Sequence, residues 1–188
     1  MLRNTHEYYG VVAQSLHWAI VGLVAVQVVL GVTGADLPLG MERLITLSWH
    51  KSLGMTILAL MAMRLAWRLA NPVPRLPPQI PRLEQQLAHS THWLLYGLLL
   101  AMPLAGWINS SASNLTVSWF GVFTFPDLVE TDKALATGAK ALHKAMAWLL
   151  ISVVALHGLA ALRHHFILKD SVLLRMLPWG RRAPGDKS

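Results

Sequence analysis

Four stretches of this chain stay apolar for about the twenty residues that a helix needs to cross a hydrocarbon core, and they constrain everything else. They run over residues 11–32, 44–63, 87–109 and 138–162. The first and third carry no charge; Lys51 interrupts the second, and Lys140 and Lys144 lie near the start of the fourth. Lipid offers the backbone no hydrogen-bond partner, so a spanning segment is a helix or a strand of a closed barrel. Barrel strands would be shorter and would alternate in polarity, which these stretches do not. The expected fold is therefore all-α, an integral membrane four-helix bundle forming a single domain over residues 1–188. The first stretch is too long, and lacks the small-residue cleavage pattern, for a removable signal peptide. Charged residues make up 13% of the chain, about half the share of a soluble domain. Cysteine is absent, which excludes disulfides, thiolate metal sites and covalent haem attachment.

The net charge of +7 invites a nucleic-acid reading until the positions of the charges are considered. Eleven of the sixteen basic residues, from Arg3 through Arg64, Arg68 and the 71–82 loop to Lys187, fall on one side of the spans. The other five (Arg43, Lys51, Lys133, Lys140 and Lys144) are offset by Asp36, Glu42, Asp127, Glu130 and Asp132. This bias predicts that both termini and the 71–82 loop are cytoplasmic, with connections 33–43 and 110–137 outside. It points to lipid as the partner of the charges, and to no nucleic acid. Residues 166–179 read as a short amphipathic segment on the cytoplasmic surface.

Ionisable groups inside a bilayer are costly, so each histidine in a span calls for a reason. His143 and His157 are fourteen residues apart on the fourth span, which is about 21 Å along a helix and only about 40° around it. One helix thus offers an imidazole near each leaflet. The antiparallel run of the first two spans puts His17 level with His157, and His50 level with His143. Two imidazoles on different helices suit the axial positions of a six-coordinate b-type haem, and two levels suit two haems. Zinc would need four ligands at one point. The alternative is histidines that bond one another or water, and four of them paired by level weigh against it. Gly54, Gly158 and Ala160 would let a flat macrocycle approach. Arg64, fourteen residues after His50, returns to the level of His17 and His157 and is a planar partner for a haem propionate.

Several motifs carry a family resemblance: HW at 17–18, WHKSLGM at 49–55, MRLAWRLANPVP at 63–74, HWLLYGLLLAMPLAGW at 92–107, and the block 142–178 from LHKAMAW to LLRMLP. The sequence resembles the bacterial di-haem cytochrome b561 family over roughly residues 8–178. The resemblance implies a four-helix electron-transfer protein of the bacterial inner membrane. It also implies two bis-histidine b haems on His17, His50, His143 and His157, and membrane quinone, ubiquinone being the expected substrate. Superoxide is one donor assigned within the family. Against that expectation, His164 lies two turns past His157, placed either to bond a quinone or to sit among headgroups. His89, His92 and His165 read as headgroup-level histidines. Lys51, Lys140 and Lys144 form either a positive mouth that concentrates a small anionic donor or partners for the outer propionates. Two function classes follow. The chain is an oxidoreductase passing electrons from a small outer donor to quinone, or a membrane-anchor subunit passing them between quinone and a docked dehydrogenase or periplasmic redox protein.

Overall fold

The computed structural model describes residues 1–178. Its long elements are α1 (Val11–Asp36), α2 (Met41–Ala70), α3 (Arg82–Ala112) and α4 (Lys133–Arg163), with a small antiparallel hairpin of β1 (Val117–Trp119) and β2 (Phe123–Phe125) between α3 and α4. All four helices are long and apolar enough to span a membrane, and the protein is an all-α integral membrane four-helix bundle. Each helix outruns its apolar stretch, since backbone bonding does not stop where hydrocarbon does. Local chemistry sets the ends. Asn71 precedes Pro72 and is extended (φ −135°, ψ 149°), ending α2. The Asp132 side chain accepts from the Leu135 N–H at 2.9 Å and opens α4.

One end of the bundle collects the N-terminal segment, the 71–81 loop and the last described residues. Asn4 Nδ2 donates to the Pro72 carbonyl and Asn4 Oδ1 accepts from the Gly10 N–H. A Cβ on Gly10 would stand 2.2 Å from the Leu2 carbonyl oxygen, so only glycine lets the chain fold back there. Gln14 Nε2 donates to the carbonyls of Arg175 and Leu177, and Trp18 Nε1 to that of Met176. The expected amphipathic segment 166–179 is not a continuous helix. A π-helical turn (His164–Leu168) stops at Lys169 in the left-handed region, and one 3-10 turn (Leu174–Met176) follows. Trp179 lies outside the described residues.

The hairpin marks the opposite end. Its turn places Phe120 (φ 49°) and Gly121 (φ 74°) in the left-handed region, as a tight two-strand turn requires. That is unfavourable for phenylalanine. Bonds to α2 hold it: the Phe120 N–H donates to Ser52 Oγ at 3.1 Å, Ser52 Oγ lies 2.9 Å from the Ser118 carbonyl, and Trp119 Nε1 donates to Thr56 Oγ1 at 3.0 Å. Ser52 is 1% exposed. Ser52→Ala is expected to take this partner from the half-buried Phe120 N–H and Ser118 carbonyl and to loosen the hairpin by about 1 kcal/mol. Amide hydrogen exchange over residues 117–125 should quicken while the helices keep their protection.

Packing is uneven. Helices α1 and α2 pack together, α3 and α4 pack together, and α2 joins the pairs through α3, whereas α4 barely touches α1 or α2. The core cluster of Ile20, Ile57, Met61, Tyr96, Leu98, Leu99 and Leu150 fills the bundle's middle. Leu150, 2% exposed, is seven residues from both His143 and His157. An apolar plug therefore separates two histidine levels.

Candidate functional site

At the hairpin end, the His50 and His143 rings face each other from α2 and α4 with centroids 6.1 Å apart and planes at 71°. At the terminal end, the His17 and His157 rings face from α1 and α4 at 6.4 Å and 83°. Apart from the shared core around Leu150, α4 packs little on α1 or α2, so the imidazoles face each other across a loosely packed slot. The spacing itself tests what the slot fits. Two imidazoles sharing one metal at about 2 Å from each nitrogen would have ring centres roughly 6.3 Å apart. Direct ring stacking or a shared hydrogen bond does not require that figure twice. Among the described residues, no three His, Asp or Glu side chains converge to hold a lone metal ion. The donor set thus fits b-type haem, which His17 with His157, and His50 with His143, would hold.

The surroundings of the rings agree. A Cβ on Gly31 would stand 3.1 Å from His50 Cε1, and one on Gly106 would stand 3.2 Å from His143 Cε1. Glycine at these two positions lets α1 and α3 close on the imidazoles. Of the glycines expected to admit a macrocycle, Gly158 faces open space, but Gly54 packs on the Gln27 amide instead. His143 Nδ1 lies 2.9 Å from the Met102 carbonyl, which orients the ring and leaves Nε2 free to ligate. His50 is held differently. Gln27, 7% exposed, donates from Nε2 to the His50 carbonyl at 2.8 Å. His50 Nδ1 is buried without a hydrogen bond of normal geometry.

The terminal level holds three histidines, not two. His92, expected among headgroups, is half-buried, with its ring 5.3 Å from that of His157. It lies four residues before Tyr96 and seven before Leu99, both buried, on a face that the apolar residues around the rest of α3 do not set apart in the sequence. His89 is exposed and accepts from Trp93 Nε1, while His165 packs on Phe166. Arg64 Nη1 donates to the Ala13 carbonyl at 2.9 Å. Its guanidinium also lines a cavity of about 20 Å³, the room of one water, with Tyr9, Trp67, Arg68 and Tyr96. Burial pushes the Tyr9 phenol up, against the pull of Arg68 and Arg64, so it stays a neutral donor there. The Arg68 guanidinium lies 5.6 Å from the centroids of both Trp93 and Tyr96. His164 is half-buried and its Nδ1 meets Asp170 Oδ2.

At the hairpin end, Lys51 Nζ donates to the Thr116 carbonyl at 3.0 Å and so fastens the loop that leads into the hairpin. Lys140 and Lys144 are exposed on α4, one turn apart on either side of His143.

The prokaryotic cytochrome b561 family matches the chain over residues 8–179. Cytochrome b561 homolog 2 of Escherichia coli K12 is 33% identical over 185 residues, covering 93% of both chains. A protein named probable superoxide oxidase CybB, from Yersinia pestis, is 33% identical over 92% of this chain and 97% of its own length. Cytochrome b561 homolog 1 of Escherichia coli K12 is 30% identical over 87% of this chain and 93% of its own. Four spanning helices, a slot that suits b-type haem and a match over nearly the whole length lead to one conclusion. The chain belongs to the prokaryotic cytochrome b561 family, as a multi-pass protein of the bacterial inner membrane that transfers electrons across it by b-type haem.

Proposed function

We propose that the chain holds two b haems, one between His17 and His157 and one between His50 and His143, and passes electrons from an outer donor to membrane quinone. The observation that carries this reading is the pair of imidazole couples, at 6.1 and 6.4 Å, set on either side of Leu150. Bound haem supplies one-electron chemistry; the protein supplies ligands, an apolar path and charge. Gly31 and Gly106 let the helices close on the ligand rings, and Met102 fixes the ring of His143. Arg64 has donors beyond the one given to Ala13, and offers them to a propionate at the terminal level.

The terminal end, cytoplasmic by the distribution of basic residues, is where quinone reacts in this reading. His164 hydrogen-bonds one quinone oxygen there. The donor meets the other end, where Lys140 and Lys144 flank His143. The name of the Yersinia relative makes superoxide the first candidate, two superoxide anions yielding two dioxygen and the two electrons that quinone needs, along with two protons, to become quinol.

Anaerobic stopped-flow mixing tests both halves. Superoxide should reduce the purified protein, and added ubiquinone should re-oxidise it. His164→Ala is expected to keep both haem spectra and normal reduction, while re-oxidation slows about tenfold, the cost of one hydrogen bond of roughly 1.4 kcal/mol. A purified chain inert to superoxide and competent only with a docked dehydrogenase or periplasmic redox protein would make it a membrane-anchor subunit instead.

A further inference from the structure

Helix α4 changes character at the residue assigned to quinone. After Arg163 it widens into the π-helical turn His164–Leu168, which Lys169 ends in the left-handed region at φ 54°. Single π-helical turns are rare and concentrate at functional sites. Here the turn has a visible consequence. In a continuing α-helix, residues six apart would be separated by about 120° around the axis, and their side chains would point away from each other. The π turn and the left-handed residue bring Asp170 back instead, and its Oδ2 lies 2.5 Å from His164 Nδ1. Both side chains are mostly covered, at 14% and 19% exposure.

The carboxylate is itself fixed. Asp170 Oδ1 accepts from the Val172 N–H at 2.9 Å, and the Asp170 N–H donates to the His164 carbonyl at 3.1 Å. The residues that follow are fastened to α1 through Gln14 and Trp18, which flank His17. Asp170 thus links an imidazole at the end of α4 to a strap anchored beside a proposed haem ligand. A surface ion pair formed by chance would show none of this support.

We propose that Asp170 is a positioning residue for His164. Its carboxylate accepts from Nδ1–H, holds the ring in one orientation and turns Nε2 toward the quinone, to which Nε2 donates when it carries a proton and from whose quinol O–H it accepts once that proton has been passed on. An acceptor on one imidazole nitrogen sets the tautomer, and with it what the other nitrogen can do. This rests on the assignment of His164 to quinone.

Asp170→Asn is the discriminating variant. Its amide oxygen can still accept from Val172 while its NH₂ faces His164 Nδ1, which drives the imidazole's single proton to Nε2, where it cannot be passed to quinone without leaving an imidazolate. Histidine-labelled protein in the reduced, diamagnetic state reports the tautomer by ¹⁵N shifts, and His164→Ala assigns the signals by their loss. Wild type should show Nδ1–H, and Asp170→Asn should show Nε2–H. Re-oxidation by ubiquinone should fall about tenfold in maximal rate with little change in KM, haem content being unaltered. In the His164→Ala background the same change should cost nothing more. Asp170→Glu, which keeps an acceptor on a longer arm, should recover part of the rate, and it replaces the asparagine variant if that loses haem.

Four results would overturn the proposal. One is an unchanged tautomer in Asp170→Asn. Another is a slow His164→Ala beside a wild-type Asp170→Asn, which spares the quinone assignment and removes Asp170 from it. The third is an equal loss from Asp170→Asn with and without His164, which makes the residue a structural fastening of the strap. A wild-type rate in His164→Ala removes the quinone assignment itself, and the proposal falls with it.

Discussion

Replacing His17 by alanine is expected to take the purified protein from two haems per chain to one, with the remaining haem low-spin and held by His50 and His143. The two levels are separated by the cluster around Leu150 and share no side chain, so loss at one should not propagate to the other. Pyridine haemochrome against protein mass gives the count, and the ferric spectrum gives the spin state. His143→Ala should remove the other haem and spare the first. His92 sharpens the experiment because its ring lies 5.3 Å from that of His157, closer than the roughly 6.3 Å that two imidazoles sharing one iron would show. His17→Ala combined with His92→Ala should therefore still retain one haem. If His17→Ala keeps two haems and only the double variant drops to one, His92 has taken over as a ligand. A wild-type ratio of one haem per chain would sink the two-level reading.

Reversing Lys140 and Lys144 to glutamate is expected to slow reduction by superoxide about tenfold or more at low salt, with haem content unchanged. Both ammonium groups are exposed beside His143, and replacing them changes the local charge by four units. Fields of this kind alter anion encounter rates by about 10- to 1000-fold. They are screened over about 10 Å in 0.1 M salt, so the gap between variant and wild type should narrow as ionic strength rises. Lys51 is a poorer target despite following His50 directly, because its Nζ fastens the loop at Thr116. A rate indifferent to salt and to the double reversal would eliminate steering and favour a neutral donor or a docked protein.

What the sequence determined by itself follows from two strong physical rules. Lipid leaves an apolar stretch of about twenty residues only the helix, so the four spans were legible without any partner in view. Once they are helices, a separation of fourteen residues returns a side chain to nearly the same face, and antiparallel connection puts His17 level with His157 and His50 with His143. Both rules act along one helix or between neighbours in sequence. The tertiary structure decided whatever depends on how helices turn toward each other or cease to be helical. His92 faces inward because α3 packs Tyr96 and Leu99 into the core, which the apolar surroundings on every side of that helix concealed. Three-residue strands are too short to carry an alternation, and the hairpin exists because Ser52, Thr56 and Lys51 bond its backbone and its Trp119 to α2. Gly31 and Gly106 matter only because a ring from another helix stands against them. Asp170 meets His164 because the chain leaves the α-helical phase between them, and side-chain periodicity says nothing once that phase is broken.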